Sequence, residues 1–227
     1  LPFEPPAEPV TQDRTELRRE LDLDASTTYL ISVGRLVRRK AYDRLIEGLA
    51  FLPAGVALVL VGDGPLRDEL AALAREQGLA DRVRMAGYVS ERDKYRYLAA
   101  ADVFVLSSHH EGFGIALQEA MHAGLPIVAT SCGGQTDLLE QGVNALLVES
   151  NEPEVLADAV KAIIGQAPLR RRMSRQNRQK VRLFAPEPLA ARYVEVFREA
   201  AARKIPAYRR SDATALRASE LSGWRRQ

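Results

Sequence analysis

The stretch Val103-Phe104-Val105-Leu106-Ser107-Ser108-His109-His110-Glu111-Gly112-Phe113-Gly114-Ile115-Ala116-Leu117-Gln118-Glu119-Ala120 decides the fold. Its first four residues are apolar without polar alternation, which is the pattern of a parallel strand buried on both faces. A polar loop with glycines follows, and helical spacing begins near Gly114. The same unit of strand, glycine loop and helix recurs in both directions. Further strands are expected over 28–33, 57–61, 83–86, 126–129 and 145–148. Helices are expected over 40–51, 64–77, 90–100, 135–141 and 152–164. Serial βα units require right-handed crossovers, so the fold class is α/β, a Rossmann-like doubly wound parallel sheet. Ligands of such sheets bind beyond the carboxyl ends of the strands. Function is therefore expected in the loops that start at Gly34, Gly62, Gly87, Ser107 and Thr130.

The flanks read differently. Residues 1–10 are proline-rich and read as a linker, and 11–21 as a leading helix with Thr11 as its cap. Helical patterns over 169–183 and 188–204 follow the last strand. Residues 205–227 have weak periodicity and read as a mobile basic tail. The domain reading is thus 1–27 linker and leading helix, 28–204 main domain with terminal helices, and 205–227 tail.

Within the loops, Gly34 allows close backbone approach, and Arg35 and Lys40 place two cations beside helix starts. An arginine fork and a lysine point charge suit a polyphosphate, although a solvated basic turn has the same composition. The turn Gly62-Asp63-Gly64-Pro65 sets Pro at a helix start and reads as structural. The amides of Gly114, Ile115 and Ala116 open a helix and form an anion site. Two carboxylates flank it, Glu111 before the helix and Glu119 in its second turn. Beside a diphosphate they would repel, unless each accepts from hydroxyls on either side of it. A nucleotide-sugar has that layout: ribose hydroxyls, two phosphates, sugar hydroxyls. A solvated helix residue is the plain alternative for Glu119. His109 and His110 lack a third ligand, so no metal is expected. Cys132, in the loop with Gly133 and Gly134, carries no sign of a nucleophile.

Taken together, Glu111-Gly-Phe-Gly-x4-Glu119 resembles the paired-glutamate signature of glycosyltransferase family 4, retaining enzymes of GT-B fold. Gly34-Arg35 with Lys40, Gly62-Asp63-Gly64-Pro65, Gly87-Tyr88-Val89, Ala101-Asp102, Gly133-Gly134 and Gly142 stand in that family's order and spacing. The resemblance covers roughly residues 14–200. It implies one half of a GT-B fold, the donor-binding half, and transfer of a sugar from a nucleoside diphosphate sugar to a hydroxyl with retention. It implies Glu111, Arg35 and Lys40 as catalytic residues. Arg35 and Lys40 would hold the diphosphate, and Gly34 would border it. Glu119 would hold the ribose and Glu111 the transferred sugar. Backbone at Tyr88 and Val89 would border the base, and the amides of Gly114, Ile115 and Ala116 the distal phosphate. No cofactor or metal is implied. The family's amino-terminal, acceptor-binding domain is expected to be missing or supplied by a partner chain. Two departures stand out: Ala41 replaces the usual Gly after the lysine, and Asp137 the usual Glu after the paired glycines. The alternatives are a non-catalytic nucleotide-sugar-binding subunit and a GT-B nucleotide-sugar epimerase.

Composition sets the outer limits. The chain has 227 residues, enough for one large domain. A single cysteine rules out an internal disulfide and leads us to expect a reducing, cytoplasmic compartment. There is no signal-peptide pattern and no starting Met, so a chain that begins mid-protein is expected. The net charge of +2 hides an asymmetry: from Arg170 onward there are 16 Lys and Arg against 5 Asp and Glu. That basic end is expected to meet the inner face of a membrane that carries a glycan or lipid-linked acceptor; a solvated helix face is the plainer reading. Nucleic acid is not expected, since it would leave the paired glutamates facing phosphate.

Overall fold

The computed structural model describes residues 3–6, 10–112 and 114–202, with Gln135 and Thr136 described by backbone alone. The expected tail at 205–227 lies outside the described residues. The chain divides into two units, Leu1–Pro186 and Glu187–Gln227. The described part of the second is most of one helix, α8 (Pro186–Ala202).

The first unit is built on six strands: β1 (Thr28–Val33), β2 (Val56–Val61), β3 (Val83–Gly87), β4 (Val103–Leu106), β5 (Ile127–Thr130) and β6 (Ala145–Val148). All pair in parallel, in the order β3-β2-β1-β4-β5-β6. The doubly wound sheet inferred from the loops is therefore what forms. Successive side chains feed opposite cores. Ile31, Val59 and Phe104 pack on one face, and Leu30, Leu58 and Val105 on the other. That is why the four central strands β2, β1, β4 and β5 lack polar alternation: each fully buried side chain contributes roughly 1.5–3 kcal/mol, and their faces are covered, while the edge strands β3 and β6 are partly exposed.

Helices cover both faces. On one side are α1 (Arg14–Glu20), α4 (Glu91–Ala100) and α5 (Ile115–Ala123), and on the other α2 (Tyr42–Gly48), α3 (Arg67–Glu76) and α6 (Pro153–Ile164). The long α7 (Ala167–Val181) touches both α5 and α6. Among the described residues no helix is long and apolar enough to cross a membrane.

Several expectations needed correction. Residues 1–10 are not simply a linker: Phe3 is buried, and its N–H donates to the Phe184 carbonyl at 2.7 Å. The leading helix is capped by Asp13, which accepts from the Thr15 N–H, and not by Thr11. The helix expected over 40–51 is broken. A 3₁₀ turn ends at Lys40, and Ala41 takes a left-handed conformation (φ 49°) before α2 starts. The helix expected over 135–141 is a single 3₁₀ turn, Gly134–Asp137. Its continuation fails because the Asn144 side chain captures the Glu140 N–H at 2.7 Å. Asn144 in turn meets buried Asn177 of α7, which donates to the carbonyls of Leu125 and Asn144.

Asp102 fastens α1 to the sheet. Its carboxylate accepts from Arg14, from buried Arg18 at 2.7 Å and from the Tyr29 N–H at 2.7 Å. The Ala101-Asp102 motif thus has a structural task at the start of β4, far along the strand from the loops that carry chemistry.

Candidate donor site

Strand order reverses between β1 and β4, and the loops that leave their carboxyl ends meet there. Contacts of the backbone stitch them together. The Ser107 hydroxyl donates to the carbonyls of Lys40 (2.8 Å) and Ala41 (2.9 Å), and the His109 N–H donates to Arg39 (2.9 Å). The loop after β2 supports this seam without entering it. A Cβ added to Gly62 would stand 2.1 Å from the Gly34 carbonyl oxygen, so only glycine fits there. Gly62-Asp63-Gly64-Pro65 is a clasp for the Gly34 loop.

The structure brings Lys40 and Glu111 into contact. Lys40 Nζ lies 2.5 Å from Glu111 Oε2, and both side chains are about nine-tenths buried. The 3₁₀ turn and the left-handed Ala41 aim Lys40 inward. Glu111 is fixed through its backbone: its N–H donates to Cys132 and its carbonyl accepts from Gly134. The Ser108 hydroxyl also reaches Glu111 Oε2, at 3.3 Å. Cys132 is structural here, its thiol 2.7 Å from the Ser108 carbonyl. Arg35, by contrast, is exposed, with no ion pair or side-chain hydrogen bond among the described residues.

Beyond Glu111 the chain turns at Gly114 (φ 77°) into α5, whose first turn has no side-chain cap. The leading amides of that helix, those of Ile115 and Ala116, are therefore available to an anion. One turn further, Glu119 is buried and paired with Lys94 of α4 at 2.6 Å. Burial raises the Glu119 carboxyl above its ordinary value, and Lys94 partly offsets this. Burial also pulls the Lys94 ammonium down, but Glu119 and Glu91 outweigh it, and its net shift is upward. Tyr88, at the end of β3, is 87% exposed, and Val89 is half-buried. No hydrogen bond or ion pair ties these two to the other candidates among the described residues. Neither do three His, Cys, Asp or Glu side chains converge among those residues; His109 instead faces Asn151.

Sequence reading missed Lys94. It lies 25 positions before Glu119, and no local pattern marks it. Its only signal is its place on α4, four residues after the capping Ser90, on a helix that the fold packs against α5.

Residues 13–180 match the family described as glycosyl transferases group 1. The chain belongs to that family. It is 38% identical over 180 residues to the lipopolysaccharide core biosynthesis glycosyltransferase LpsE of Rhizobium meliloti, covering 79% of this chain and 52% of that protein. It is 33% identical over 206 residues to a D-inositol 3-phosphate glycosyltransferase of Xylanimonas cellulosilytica, covering 89% and 49%. Among solved structures, Anabaena HepE in complex with UDP-glucose superposes with a TM-score of 0.75 at 27% identity, covering 82% of this chain and 52% of that one. This group 1 chain therefore spans about half the length of the relatives it matches. The six-stranded parallel sheet is the Rossmann-like architecture of GT-B glycosyltransferases.

Proposed function

We propose that this chain is the donor-binding half of a retaining, family 4 glycosyltransferase that moves a sugar from a nucleoside diphosphate sugar to a hydroxyl. The observation that carries the reading is the convergence at the switch point. A buried Lys40–Glu111 pair, an uncapped helix start and a buried Glu119–Lys94 pair stand in series across the β1–β4 seam. Their order suits sugar, diphosphate and ribose. The structural similarity to Anabaena HepE, which was solved with UDP-glucose, supports the same ligand class.

In this reading the bond from the anomeric carbon to the distal phosphate oxygen breaks, the oxygen of the acceptor hydroxyl bonds to that carbon, and the hydroxyl proton passes to the departing phosphate oxygen. Negative charge grows on the leaving diphosphate. The amides of Gly114, Ile115 and Ala116 are fixed by the helix and meet that charge without reorganising, while Arg35 and Lys40 turn to it from solvent and from Glu111. Glu111 holds a hydroxyl of the reacting sugar, and Glu119 holds the ribose diol. Tyr88 and Val89 border the base, and Gly34 the phosphates. The acceptor, a glycan or lipid-linked hydroxyl, is held by the other half of the enzyme.

Calorimetric titration with UDP, GDP and ADP, their parent nucleosides and UDP-glucose tests the reading. One diphosphate is expected to bind at least about tenfold more tightly than its nucleoside, as one charged hydrogen bond requires. Equal affinity for nucleoside and diphosphate would contradict it. Retention is checked separately in the full-length enzyme, by the anomeric configuration of the product in NMR.

A further inference from the structure

Helix α7 carries Arg170, Arg171, Arg172, Arg175, Arg178 and Lys180 and no carboxylate. Met173, Asn177 and Val181 form its buried stripe. Arg171, Arg175 and Arg178 fall at i, i+4 and i+7, so they share another stripe. That stripe lines a cleft of about 470 Å³ whose other walls include Arg14, Leu98 and Pro126. Leu98 lies in the last turn of α4, and Pro126 just precedes β5. The cleft therefore sits at the amino ends of the strands, away from the switch-point loops at their carboxyl ends.

The charge of this cleft is not cancelled from within. Its one carboxylate, Asp102, is occupied by Arg14, Arg18 and the Tyr29 N–H. Arg170 donates to the carbonyls of Ile163 and Ile164, and Arg178 to that of Ala123. These arginines are anchored by backbone carbonyls, which bring no counter-charge. The side chains of Arg171 and Arg175 are exposed, with no ion pair or hydrogen bond among the described residues.

Apolar surface lies alongside. A hollow of about 350 Å³ shares Arg178 and is otherwise lined largely by Phe3, Pro5, His122, Val181 and Ala185. Leu183, just past the end of α7, is 65% exposed. Arginines beside an apolar hollow and an exposed leucine match the two layers of a bilayer interface, anionic headgroups and the start of the acyl region. The arginine cleft has no aromatic side chain on which a nucleobase could stack.

We propose that the arginine face of α7 is a docking surface for an anionic phospholipid membrane. It is separate from the donor site, and a chain unable to bind a nucleotide would still dock. The charge on this face sets the affinity, each arginine contributing about fivefold at the surface of an anionic bilayer.

The test is sedimentation of the full 227-residue chain with phosphatidylcholine vesicles, and with vesicles in which about a quarter of the lipid is phosphatidylglycerol. Binding to the anionic vesicles alone, weakening as salt rises, is expected. Arg171→Gln/Arg175→Gln is expected to lower it by about tenfold or more, and Arg171→Lys/Arg175→Lys to retain it. Arg38→Gln/Arg75→Gln, which removes the same charge beside α3 at the other edge of the sheet, is expected to change it less than about twofold. Equal losses in the two glutamine pairs would overturn the proposal, since net charge alone would then account for binding. So would equal losses in the Lys and Gln pairs at 171 and 175, binding indifferent to lipid charge, or short duplex DNA that displaces the chain from the vesicles at lower concentration than free lipid does.

Discussion

Lys40 Nζ meets Glu111 Oε2 at 2.5 Å across the seam between the loops that follow β1 and β4. Each of the two groups is buried, and each neutralises the other. Arg35, from the same loop as Lys40, stands in solvent without such a partner. The two cations should therefore respond differently to removal. Lys40→Met is expected to weaken nucleoside diphosphate binding about tenfold or more. It should also destabilise the fold by about 3 kcal/mol, because Glu111 is left buried without its counter-charge. Arg35→Ala is expected to match the binding loss and leave stability within about 0.5 kcal/mol. Urea denaturation beside calorimetry separates the two. A Lys40→Met protein as stable as the parent would mean that the pair contributes nothing to the fold.

Lys94 gives Glu119 its own pH dependence. Glu119 faces Lys94, Glu91 and Tyr95 of α4, and burial already raises its carboxyl. A carboxylate that accepts from both hydroxyls of a diol loses its charge and one acceptor oxygen once protonated, so ribose binding weakens as pH falls through the Glu119 pKa. Removing the lysine raises that pKa further. In Lys94→Met, affinity for the nucleoside diphosphate should begin to fall at a higher pH than in the parent, and Lys94→Arg should restore the parent curve. Superimposable pH profiles for the Met variant and the parent would show that Lys94 does not tune Glu119.

The Asn144–Asn177 pair fastens α7 to the sheet. Asn177 is fully buried and donates to the carbonyls of Leu125 (2.8 Å) and Asn144 (2.9 Å). Asn177→Ala leaves both without this donor and opens a void, so a loss of about 2–4 kcal/mol is expected. A change under about 0.5 kcal/mol in urea denaturation would mean that water replaces the amide at no cost.

His122 is expected to make stability fall on mild acidification. Its ring packs 5.3 Å from Phe3 and 5.9 Å from Tyr95. Burial, and then Arg178, lowers its pKa below the ordinary 6.5. The folded state thus favours the neutral ring, while the unfolded chain takes up a proton near 6.5. The stability it contributes is present above pH 6.5 and is lost as pH falls from there through the folded pKa. His122→Gln should flatten this part of the curve of unfolding free energy against pH. An unchanged slope would assign the acid sensitivity to other groups.

The sheet was legible because its four central strands are buried on both faces. Uninterrupted runs such as Val103–Leu106 announce a parallel core with no competing pattern. The bounds of α2 were not legible, because the left-handed Ala41 is a backbone choice that the alanine itself does not advertise. The family's usual glycine at that position is the only clue, and the φ of 49° explains it. In the site, Glu111, Glu119 and Lys40 were visible because they adjoin glycine loops. Their partners were not: Lys94 reaches Glu119 from another helix, and the Lys40–Glu111 contact spans 71 residues. Asp102 was visible as a motif, but only its partners Arg14, Arg18 and Tyr29 show that it fastens α1 to the sheet.

The divided role of the two glutamates is the centre of the account, and calorimetry on Glu119→Gln and Glu111→Gln addresses it most directly. Both substitutions keep the shape of the side chain and remove its charge. With Glu119→Gln, nucleoside diphosphate and nucleotide-sugar should weaken alike, because both carry the ribose. With Glu111→Gln, the free diphosphate should bind as well as in the parent or better, since Lys40 is released to the phosphates. The intact nucleotide-sugar should lose the added affinity its sugar supplies. Matching ligand profiles for the two variants would contradict the assignment and leave the pair as buried counter-ions of Lys40 and Lys94.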